Sequence, residues 1–424
     1  MIERIKTAYL KAGDKFQYFI HNNFYLITAV LVTALSLTAR LAVAFHPTRD
    51  VVFFVFKWME EIQRVGFANF YQVNSDYSPL FLFIVGLFTF LPAGKQVTTA
   101  GFTYYSNWMY YLKSWYFITE IAIAIGIYLI LKEVTNSKKS GWLGYVIYLC
   151  LPVQFFNSAV WGNADVLYFV FFVYTVYFII KKKSGLAFFF TGMCFGFKLQ
   201  VVFILPLLVY LMLNKKLAFY KLILLPIGLL ATFIPAYLCG AKFYEPFLFF
   251  GRQLGGYSNL TLGCANIWHL INVKAEVLEK FNLGATVLGL LLIGLFTAIV
   301  FAKNPKLTNE NLIAVSTFLI AIVPMFLPHM HERYFYALDV FIVLYCIATK
   351  KRYYLVILMQ LSSGVAYHNY LAGRHFILAL GEDSVHIASW INIFVLTVLF
   401  LDILKLESDK SLQEKALEYK KTRL

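Results

Sequence analysis

Long apolar runs alternate with short polar turns along nearly the whole chain. Because a membrane-spanning helix needs about 20 mainly apolar residues, these runs predict about twelve transmembrane helices. The predicted helices cover residues 24–45, 114–133, 141–158, 166–180, 184–198, 199–213, 217–238, 283–302, 311–328, 333–349, 353–370 and 387–404. The pattern therefore predicts an all-α polytopic membrane protein in which several helices are shorter than a usual span.

The lysine-rich turns and the polar motifs fall on opposite sides of these predicted helices. Basic turns lie at 181–183, 214–216 and 350–352. Since the cytoplasmic loops of membrane proteins are enriched in Lys and Arg, these turns predict the cytoplasmic side. Both termini are then expected inside the cell, and the polar motifs between the turns are expected to share the outer face.

Residues 46–113 predict one long outer segment that carries two interfacial helices. In 51–65, aromatic residues alternate with charged ones, which is typical of a helix that lies in the membrane surface. The apolar run 78–92 is only about 15 residues long, and counting it as a span would invert every later loop against the charge rule.

This pattern divides the chain into five parts. They are a cytoplasmic N-terminal segment (1–23), a first transmembrane module (24–240), an outer loop (241–282), C-terminal transmembrane helices (283–404) and a cytoplasmic tail (405–424).

Composition supports a membrane location. Hydrophobic residues make up 60% of the 424 residues, and the mean hydropathy is +0.70, so lipid must solvate much of the surface. The net charge of +15 would suggest nucleic acid as the partner of a soluble chain. Here the basic cytoplasmic turns and anionic headgroups account for it, and no nucleic-acid partner is expected. The Lys- and Phe-rich composition favours a bacterial plasma membrane over the endoplasmic reticulum.

Three carboxylates in the outer motifs each have a structural and a chemical interpretation. Asp50 follows the first predicted helix, where it could cap the helix 51–65 or accept a proton from a sugar hydroxyl. Asp76 precedes Pro79 and could begin a helix or add a second carboxylate to an outer site. Asp165 could cap the next helix or, with Trp161 and Asn163, form a sugar-binding surface.

The outer motifs also contain cations that the charge rule does not explain. Lys198 lies at the outer end of a predicted hairpin, where it could bind a phosphate or snorkel to the headgroups. Arg333 is suited to clamp an anion, since guanidinium binds phosphate through two parallel hydrogen bonds. The neighbouring His329, His331 and Glu332 lack the spacing of a helical zinc site, and no metal or cofactor is expected.

Three ionisable residues lie within predicted spans: Arg40, Glu120 and Asp339. Charges in lipid are costly and usually face the interior of the bundle. We expect Arg40 to pair with Glu120 or Asp339. A transporter would instead use the three residues as a central polar pathway.

Taken in order, the motifs resemble those of the GT-C glycosyltransferases, and most closely those of bacterial homologues of the GPI-anchor mannosyltransferase that adds the second mannose. The resemblance spans about residues 24–349 and departs from the family pattern at Asn163, which replaces a Gln, and at Leu199, which replaces a Pro. The matching segments are Asp50, 76–79 for a Tyr-Pro-Pro-like motif, 161–165 for Trp-Gly-Gln-x-Asp, 197–200 for Leu-Lys-Pro-Gln, 264–268 for Asn-x-x-Asn-x-Trp and 331–334 for His-Glu-Lys/Arg-Tyr.

The resemblance implies a GT-C fold and the transfer of one hexose, with mannose a candidate. The donor would be a polyprenyl-phosphate sugar and the acceptor an extracytoplasmic glycan or glycolipid, with inversion and Asp50 as general base. It implies that Arg333, Lys198 and His331 bind the donor phosphate. It also implies substrate contacts from Asp76, Tyr77, Trp161, Asn163, Asp165, Tyr257, Asn266, Trp268, Glu332 and Tyr334. A polysaccharide polymerase or ligase and a lipid-linked glycan flippase are the alternatives.

Overall fold

The computed structural model describes residues 13–99, 101–254, 259–271, 275–375 and 382–409, and these residues are almost entirely helical. Residues 13–22 are helical, and the next nine α-helices are α1 (Phe24–Val43), α2 (Phe56–Val65), α3 (Pro79–Phe88), α4 (Ser106–Thr135), α5 (Lys138–Cys150), α6 (Pro152–Phe155), α7 (Asp165–Ile180), α8 (Ser184–Phe195) and α9 (Leu205–Leu213). The others are α10 (Leu224–Ala231), α11 (Ile234–Leu238), α12 (Leu248–Leu254), α13 (Ala275–Lys303), α14 (Asn309–Phe326), α15 (Tyr336–Thr349), α16 (Tyr354–His375) and α17 (Glu382–Leu404).

Shorter elements connect these helices. Two π-helical turns cover Val51–Val55 and Phe156–Trp161, and 3₁₀ turns cover Phe67–Gln72, Leu199–Ile204, Phe219–Ile223, Glu245–Phe247 and Ile267–Leu270. An antiparallel hairpin pairs β1 (Gln96–Thr99) with β2 (Phe102–Tyr105), and a parallel pair joins β3 (Thr261–Leu262) to β4 (Met330–His331).

Five helices in the described part of the chain are long and apolar enough to cross a membrane: α1, α4, α13, α14 and α17. The bent pair α5–α6, continued through Trp161, adds a sixth candidate. Large apolar side chains on α1 and α13, such as Leu35 and Leu291, are exposed, as expected for helices that face lipid. The all-α membrane class is confirmed, whereas twelve spans remain a prediction because the other apolar helices are short.

Prolines break two of the predicted helices. The predicted helix 141–158 bends by 50° at Leu151, because Pro152 has no N–H and disfavours a helical residue before it. The predicted helix 217–238 is likewise divided into three pieces around Pro226 and Pro235.

The first outer segment contains both predicted helices. The first runs through 51–65, and the second is α3, which is shorter than the predicted 78–92. The β1–β2 hairpin was not expected, and α4 begins at Ser106 rather than at 114. The interfacial position of α2 and α3 stays a prediction.

Basic turns and polar motifs lie at opposite ends of the helices that carry both. Asp165 begins α7, whereas the basic turn 181–183 follows its last residue. Arg333 precedes α15, whereas Lys350 follows its end. The helix connectivity therefore separates the polar motifs from the basic turns, as the sequence pattern indicates.

The interior of the bundle holds the predicted ion pair. Arg40 Nε lies 2.6 Å from Glu120 Oε2, and Ser158 Oγ donates to Glu120 Oε1 at 3.0 Å. Arg40 also donates to the carbonyl of Leu149 at 3.2 Å, where α5 ends. Asp339 has a different partner, the hydroxyl of Ser363 at 2.9 Å. Of the two pairings that we expected, Arg40–Glu120 is confirmed.

Candidate functional site

Two adjoining cavities, each of about 470 Å³, lie at the end of the bundle that carries the polar motifs. The Asp50 cavity is lined by Arg49, Asp50, Phe54, Val55, Trp58, Asp76, Tyr77, Tyr116, Gly162, Asn163, Leu262, His331, Glu332, Arg333 and Tyr370. The Lys198 cavity is lined by Asp76, Tyr77, Lys198, Leu199, Gln200, Val202, Phe203, Arg252, Gln253, Thr286, Leu327, Pro328, His329, Met330, His331, Arg333 and Tyr334. Four residues, Asp76, Tyr77, His331 and Arg333, line both cavities and form their shared wall.

The carboxylate of Asp50 is oriented by two donors from distant parts of the chain. Trp161 Nε1 donates to one oxygen at 2.8 Å, and the hydroxyl of Tyr370 donates to the other at 2.8 Å. The rings of Trp161 and Tyr370 stack with centroids 4.6 Å apart. The helix-cap interpretation of Asp50 is wrong, since its side chain makes no cap hydrogen bond and faces this aromatic pair.

A buried lysine, which the sequence analysis did not identify, joins the two segments that present Asp50 and Trp161. Lys113 Nζ donates to the carbonyls of His46 at 2.8 Å, Ala159 at 2.9 Å and Val160 at 3.1 Å. It lies in an aromatic-rich stretch with no recognisable motif, so nothing in the sequence indicated this role. Because Lys113 donates hydrogen bonds to three carbonyl oxygens, it fixes the spacing of the two segments.

Gly162 lies at the same junction, where both the backbone conformation and the close packing favour glycine. Its φ is +74°, a left-handed conformation that favours glycine. A Cβ atom would also lie 2.8 Å from Val51 Cγ2 and 3.0 Å from Lys113 Cε. The glycine therefore lets Trp161 and Asn163 approach the Asp50 segment closely.

A network of two cations and two carboxylates lies beside the cavities. Lys198 Nζ is 2.9 Å from Asp165 Oδ1, and Arg333 Nε is 3.4 Å from Asp165 Oδ2. Arg333 also donates to Glu332 Oε1 at 2.7 Å. Asp165 is not the N-cap of α7, as one interpretation predicted, because Ala164 holds that position. The charges of these four side chains sum to zero, so the network binds an added anion only if a carboxylate gives up part of its contact.

Titratable groups in and next to the shared wall differ in charge state. Burial and the adjacent Arg333 cation lower the pKa of His331, against the opposing effect of Glu332. Burial alone would raise the pKa of Glu332, but contacts with His331 and Arg333 lower it below its usual value. We therefore expect a neutral imidazole beside an ionised carboxylate at neutral pH. At neutral pH, His331 can therefore offer a phosphate a hydrogen bond but not a positive charge.

Asp76 opens on both cavities and has an unusual environment for an exposed side chain. Desolvation by the surrounding protein raises its pKa, and the nearby Asp50 adds to the rise, while Lys198 and Arg333 offset part of it. Helix α3 is capped by Ser78, whose Oγ accepts from the N–H of Phe81, and not by Asp76. The carboxylate of Asp76 is therefore available to the cavities.

Aromatic rings surround the cations of the network. Lys198 Nζ lies 4.7 Å from the ring centroid of Tyr77, and the guanidinium carbon of Arg333 lies 5.5 Å from that of Trp161 and 5.7 Å from that of Tyr334. Such cation–π contacts hold the charged groups in place without neutralising them.

Helix α12 contributes two more residues that the sequence analysis missed. Arg252 donates to the carbonyls of Val73 at 3.3 Å and Ser75 at 3.1 Å. Gln253 donates to the carbonyl of Asp76 at 2.6 Å and accepts from the N–H of Leu199 at 3.2 Å. Within the described part of the chain, no carboxylate pairs with Arg252, so this side chain adds net positive charge to the Lys198 cavity.

Two predicted substrate residues have structural contacts instead. Asn266 Oδ1 accepts from the N–H of Trp268, and its amide donates to the carbonyl of Pro324. Trp268 Nε1 donates to the carbonyl of Phe326 at 2.7 Å. Both side chains are buried and absent from the described cavity walls, so they anchor the loop to α14. Tyr257 lies outside the described residues.

The loop 241–282, which was predicted to face outward, reaches the shared wall through the backbone of residues 260–262. Strands β3 and β4 pair in parallel, with Leu262 opposite His331. The N–H of His329 donates to Leu260 at 2.7 Å, and the N–H of Glu332 donates to Leu262 at 3.2 Å. This pairing fixes the 330–334 segment between the two cavities.

Comparison with known proteins finds no family model and no curated protein that matches this chain. The fold and the site therefore define the class by themselves: a helical membrane protein with a two-cavity polar site at one end of the bundle. The arrangement combines an oriented carboxylate with a wall of cations and aromatic rings, which is suited to proton abstraction next to a bound anion.

Proposed function

We propose that this protein is a membrane glycosyltransferase that moves a single hexose from a polyprenyl-phosphate-linked donor to an extracytoplasmic glycan or glycolipid acceptor, with inversion. The observation that carries the proposal is the geometry of Asp50. Its carboxylate lines a cavity, is held by two donors and caps no helix, while Arg333 and Lys198 lie in or beside the shared wall. The ordered motifs that resemble GT-C enzymes supply the reaction class.

The two cavities divide the substrates between them. The Asp50 cavity receives the acceptor sugar, because it holds the candidate base together with aromatic and amide side chains. The Lys198 cavity receives the donor phosphate, because Lys198, Arg252 and Arg333 line it. The anomeric carbon of the donor then lies near the shared wall, between the attacking oxygen and the phosphate.

In the reaction, the acceptor hydroxyl gives its proton to Asp50 as its oxygen attacks the anomeric carbon. The bond between that carbon and the phosphate oxygen breaks, and its electron pair leaves with the lipid phosphate. A phosphate is already a good leaving group, so the protein supplies charge stabilisation rather than a second proton donor. Arg333 and Lys198 provide this stabilisation.

The zero net charge of the four-residue network sets a condition on donor binding. A phosphate that contacts Arg333 must compete with Glu332 and Asp165 for the same guanidinium. Arg252, which pairs with no carboxylate in the described residues, supplies the unbalanced positive charge that first attracts the anion. The carboxylates then keep the cations ordered when the site is empty.

The alternatives would use different parts of the molecule. A flippase would need the charged residues inside the bundle, but Arg40 and Glu120 are paired with each other at 2.6 Å. A polymerase or ligase would use the same two cavities for much larger glycans, and the mass of the transferred unit separates it from a hexosyltransferase.

The test is mass spectrometry of envelope glycans and glycolipids from a deletion strain complemented with the wild type, with Asp50→Asn or with Asp14→Asn. Asp14 is an exposed aspartate in the N-terminal segment and serves as the matched control. We expect one hexose-sized unit to be absent with Asp50→Asn and restored by the other two. Restoration of the full glycan by Asp50→Asn would refute the proposal, and loss of a whole oligosaccharide would indicate the polymerase or ligase.

A further inference from the structure

Two residues that line the Asp50 cavity each have a buried polar atom without a partner among the described residues. The Tyr116 side chain is 0% exposed and that of Asn163 is 3% exposed. Neither the Tyr116 hydroxyl nor Asn163 Oδ1 has a hydrogen-bond partner among the residues that the structure describes. Both residues belong to the cavity wall.

Their positions follow from the junction that holds Asp50. Tyr116 lies one helical turn after Lys113 on α4, and Asn163 follows Gly162, against which Lys113 packs. The N–H of Asn163 donates to the carbonyl of Asn157 at 2.9 Å, so its backbone is fixed. The same junction that orients the carboxylate therefore holds both residues in the cavity wall.

An unpaired buried polar group lowers stability, and most such groups in proteins have a partner. Two at one cavity wall indicate a partner that arrives with a ligand. A tyrosine hydroxyl can donate, and an amide oxygen can only accept. A ligand hydroxyl complements both, because it accepts one hydrogen bond and donates another.

We infer that Tyr116 and Asn163 form the polar floor of the Asp50 cavity and recognise one ring hydroxyl of the sugar bound there. The assignment of a sugar as the ligand rests on the proposed function. The rest of the wall has matching chemistry. Trp58 and Tyr77 offer apolar faces, and the carboxylates of Asp50 and Asp76 can accept hydrogen bonds from sugar hydroxyls. The two floor residues thus set which hydroxyl configuration the acceptor site admits.

The first arm of the test is thermal unfolding of the full chain, purified in lipid nanodiscs. If the Tyr116 hydroxyl is unpaired in the free protein, Tyr116→Phe removes an uncompensated polar group and keeps or raises the melting temperature. If a structural water pairs with the hydroxyl, the substitution lowers the melting temperature, and the inference fails. Tyr210→Phe is the matched control, since Tyr210 has a buried hydroxyl without a partner among the described residues and lines neither cavity.

The second arm measures binding of methyl α-mannoside, methyl α-glucoside and methyl α-galactoside by saturation-transfer NMR titration. These probes differ in the configuration of one hydroxyl at a time along the series. We expect the wild type and Tyr210→Phe to prefer one hexoside. Tyr116→Phe and Asn163→Ala should each bind that hexoside about three- to tenfold more weakly and lose the preference, as expected for one hydrogen bond.

The outcomes separate this inference from the proposed function. If none of the three hexosides binds the wild type, or if both variants keep the wild-type affinity and preference, the polar floor is refuted even where the strain experiment shows transfer. If the preference depends on Tyr116 and Asn163 while Asp50→Asn restores the glycan, the sugar site stands and the proposed transfer reaction fails.

Discussion

The protein buries two ionic networks that look alike in sequence and differ in their surroundings. Arg40 and Glu120 pair at 2.6 Å in the interior of the bundle, and neither residue lines the two described cavities. Arg333, by contrast, contacts Asp165 and Glu332 in a wall that both cavities share. A buried charge indicates a functional site only where an open space adjoins it, since structural pairs are buried just as well.

The comparison also shows what each network can do. We expect replacement of a neighbour of Arg40 to alter packing and stability, because Arg40 lines neither of the two described cavities. Replacing a neighbour of Arg333 changes stability and also changes how much of the cation an incoming anion can use. Substitutions in the two networks should therefore have different consequences for anion binding.

The largest effect is expected on stability, from neutralising one carboxylate in each network. Asp165→Asn leaves Lys198 and Arg333 with one buried carboxylate between them, and we expect a loss of about 3–5 kcal/mol in the free energy of unfolding. Glu120→Gln should lower the free energy of unfolding by a similar amount, because it leaves the buried Arg40 without its carboxylate partner. Inorganic phosphate should restore part of the melting temperature of Asp165→Asn only. Equal recovery of both variants, or of neither, would contradict the distinction between the two networks.

The next effect concerns the affinity for the leaving group. Arg333→Ala should weaken the binding of polyprenyl phosphate to the purified protein about ten- to a hundredfold, since a hydrogen bond to a charged group is worth about 1.5–3 kcal/mol. Arg333→Lys should have an intermediate affinity, because it keeps the charge and loses the two-pronged geometry. An unchanged affinity in Arg333→Ala would rule out the clamp.

Arg252 should have a smaller effect that can be separated from loop anchoring. Arg252→Ala removes a cation and two contacts to the 73–75 segment, while Gln253→Leu removes contacts to Asp76 and Leu199 without changing charge. We expect Arg252→Ala to weaken polyprenyl-phosphate binding about three- to tenfold and to reduce its salt dependence. If Gln253→Leu reduces the salt dependence equally, the role of Arg252 is structural.

The smallest effect is the pH dependence due to His331. Its pKa is lowered in the folded protein from an ordinary value of 6.5, so the unfolded chain binds more protons below that pH. The contribution of the neutral imidazole to stability is complete above pH 6.5 and is lost as the pH falls through the lowered value. His331→Gln should flatten the fall in melting temperature just below pH 6.5. An unchanged slope would show that His331 does not titrate there.

The sequence predicted the parts of the fold that depend on local pattern. Apolar runs and basic turns located the helices and separated the two ends of the bundle. The cost of charge in lipid predicted that Arg40 pairs with Glu120 or Asp339, and the structure shows the pair with Glu120. The bend at Leu151 was predictable in principle, since Pro152 is a known helix breaker, but the apolar pattern continues through it.

The missing parts of the site depend on long-range contacts. Tyr370 reaches Asp50 across 320 positions of the chain, from an apolar helix with no motif around it. Lys113 lies among aromatic residues, which are typical of a membrane surface. Arg252 lies in the short helix α12, within the stretch that the sequence predicted to be a loop. Sequence spacing cannot show whether a carboxylate caps a helix, and the structure shows that neither Asp50 nor Asp165 does.

The central claim is that Asp50 serves as the base while Arg333 and Lys198 hold the donor phosphate. The most direct test measures polyprenyl-phosphate binding and single-turnover hexose transfer on the same Asp50→Asn preparation, with the substrates that the glycan masses identify. The account predicts unchanged polyprenyl-phosphate affinity and transfer slowed about 10²- to 10⁴-fold, the usual contribution of a general base. Normal transfer by Asp50→Asn, or a loss of binding as large as the loss of transfer, would contradict it.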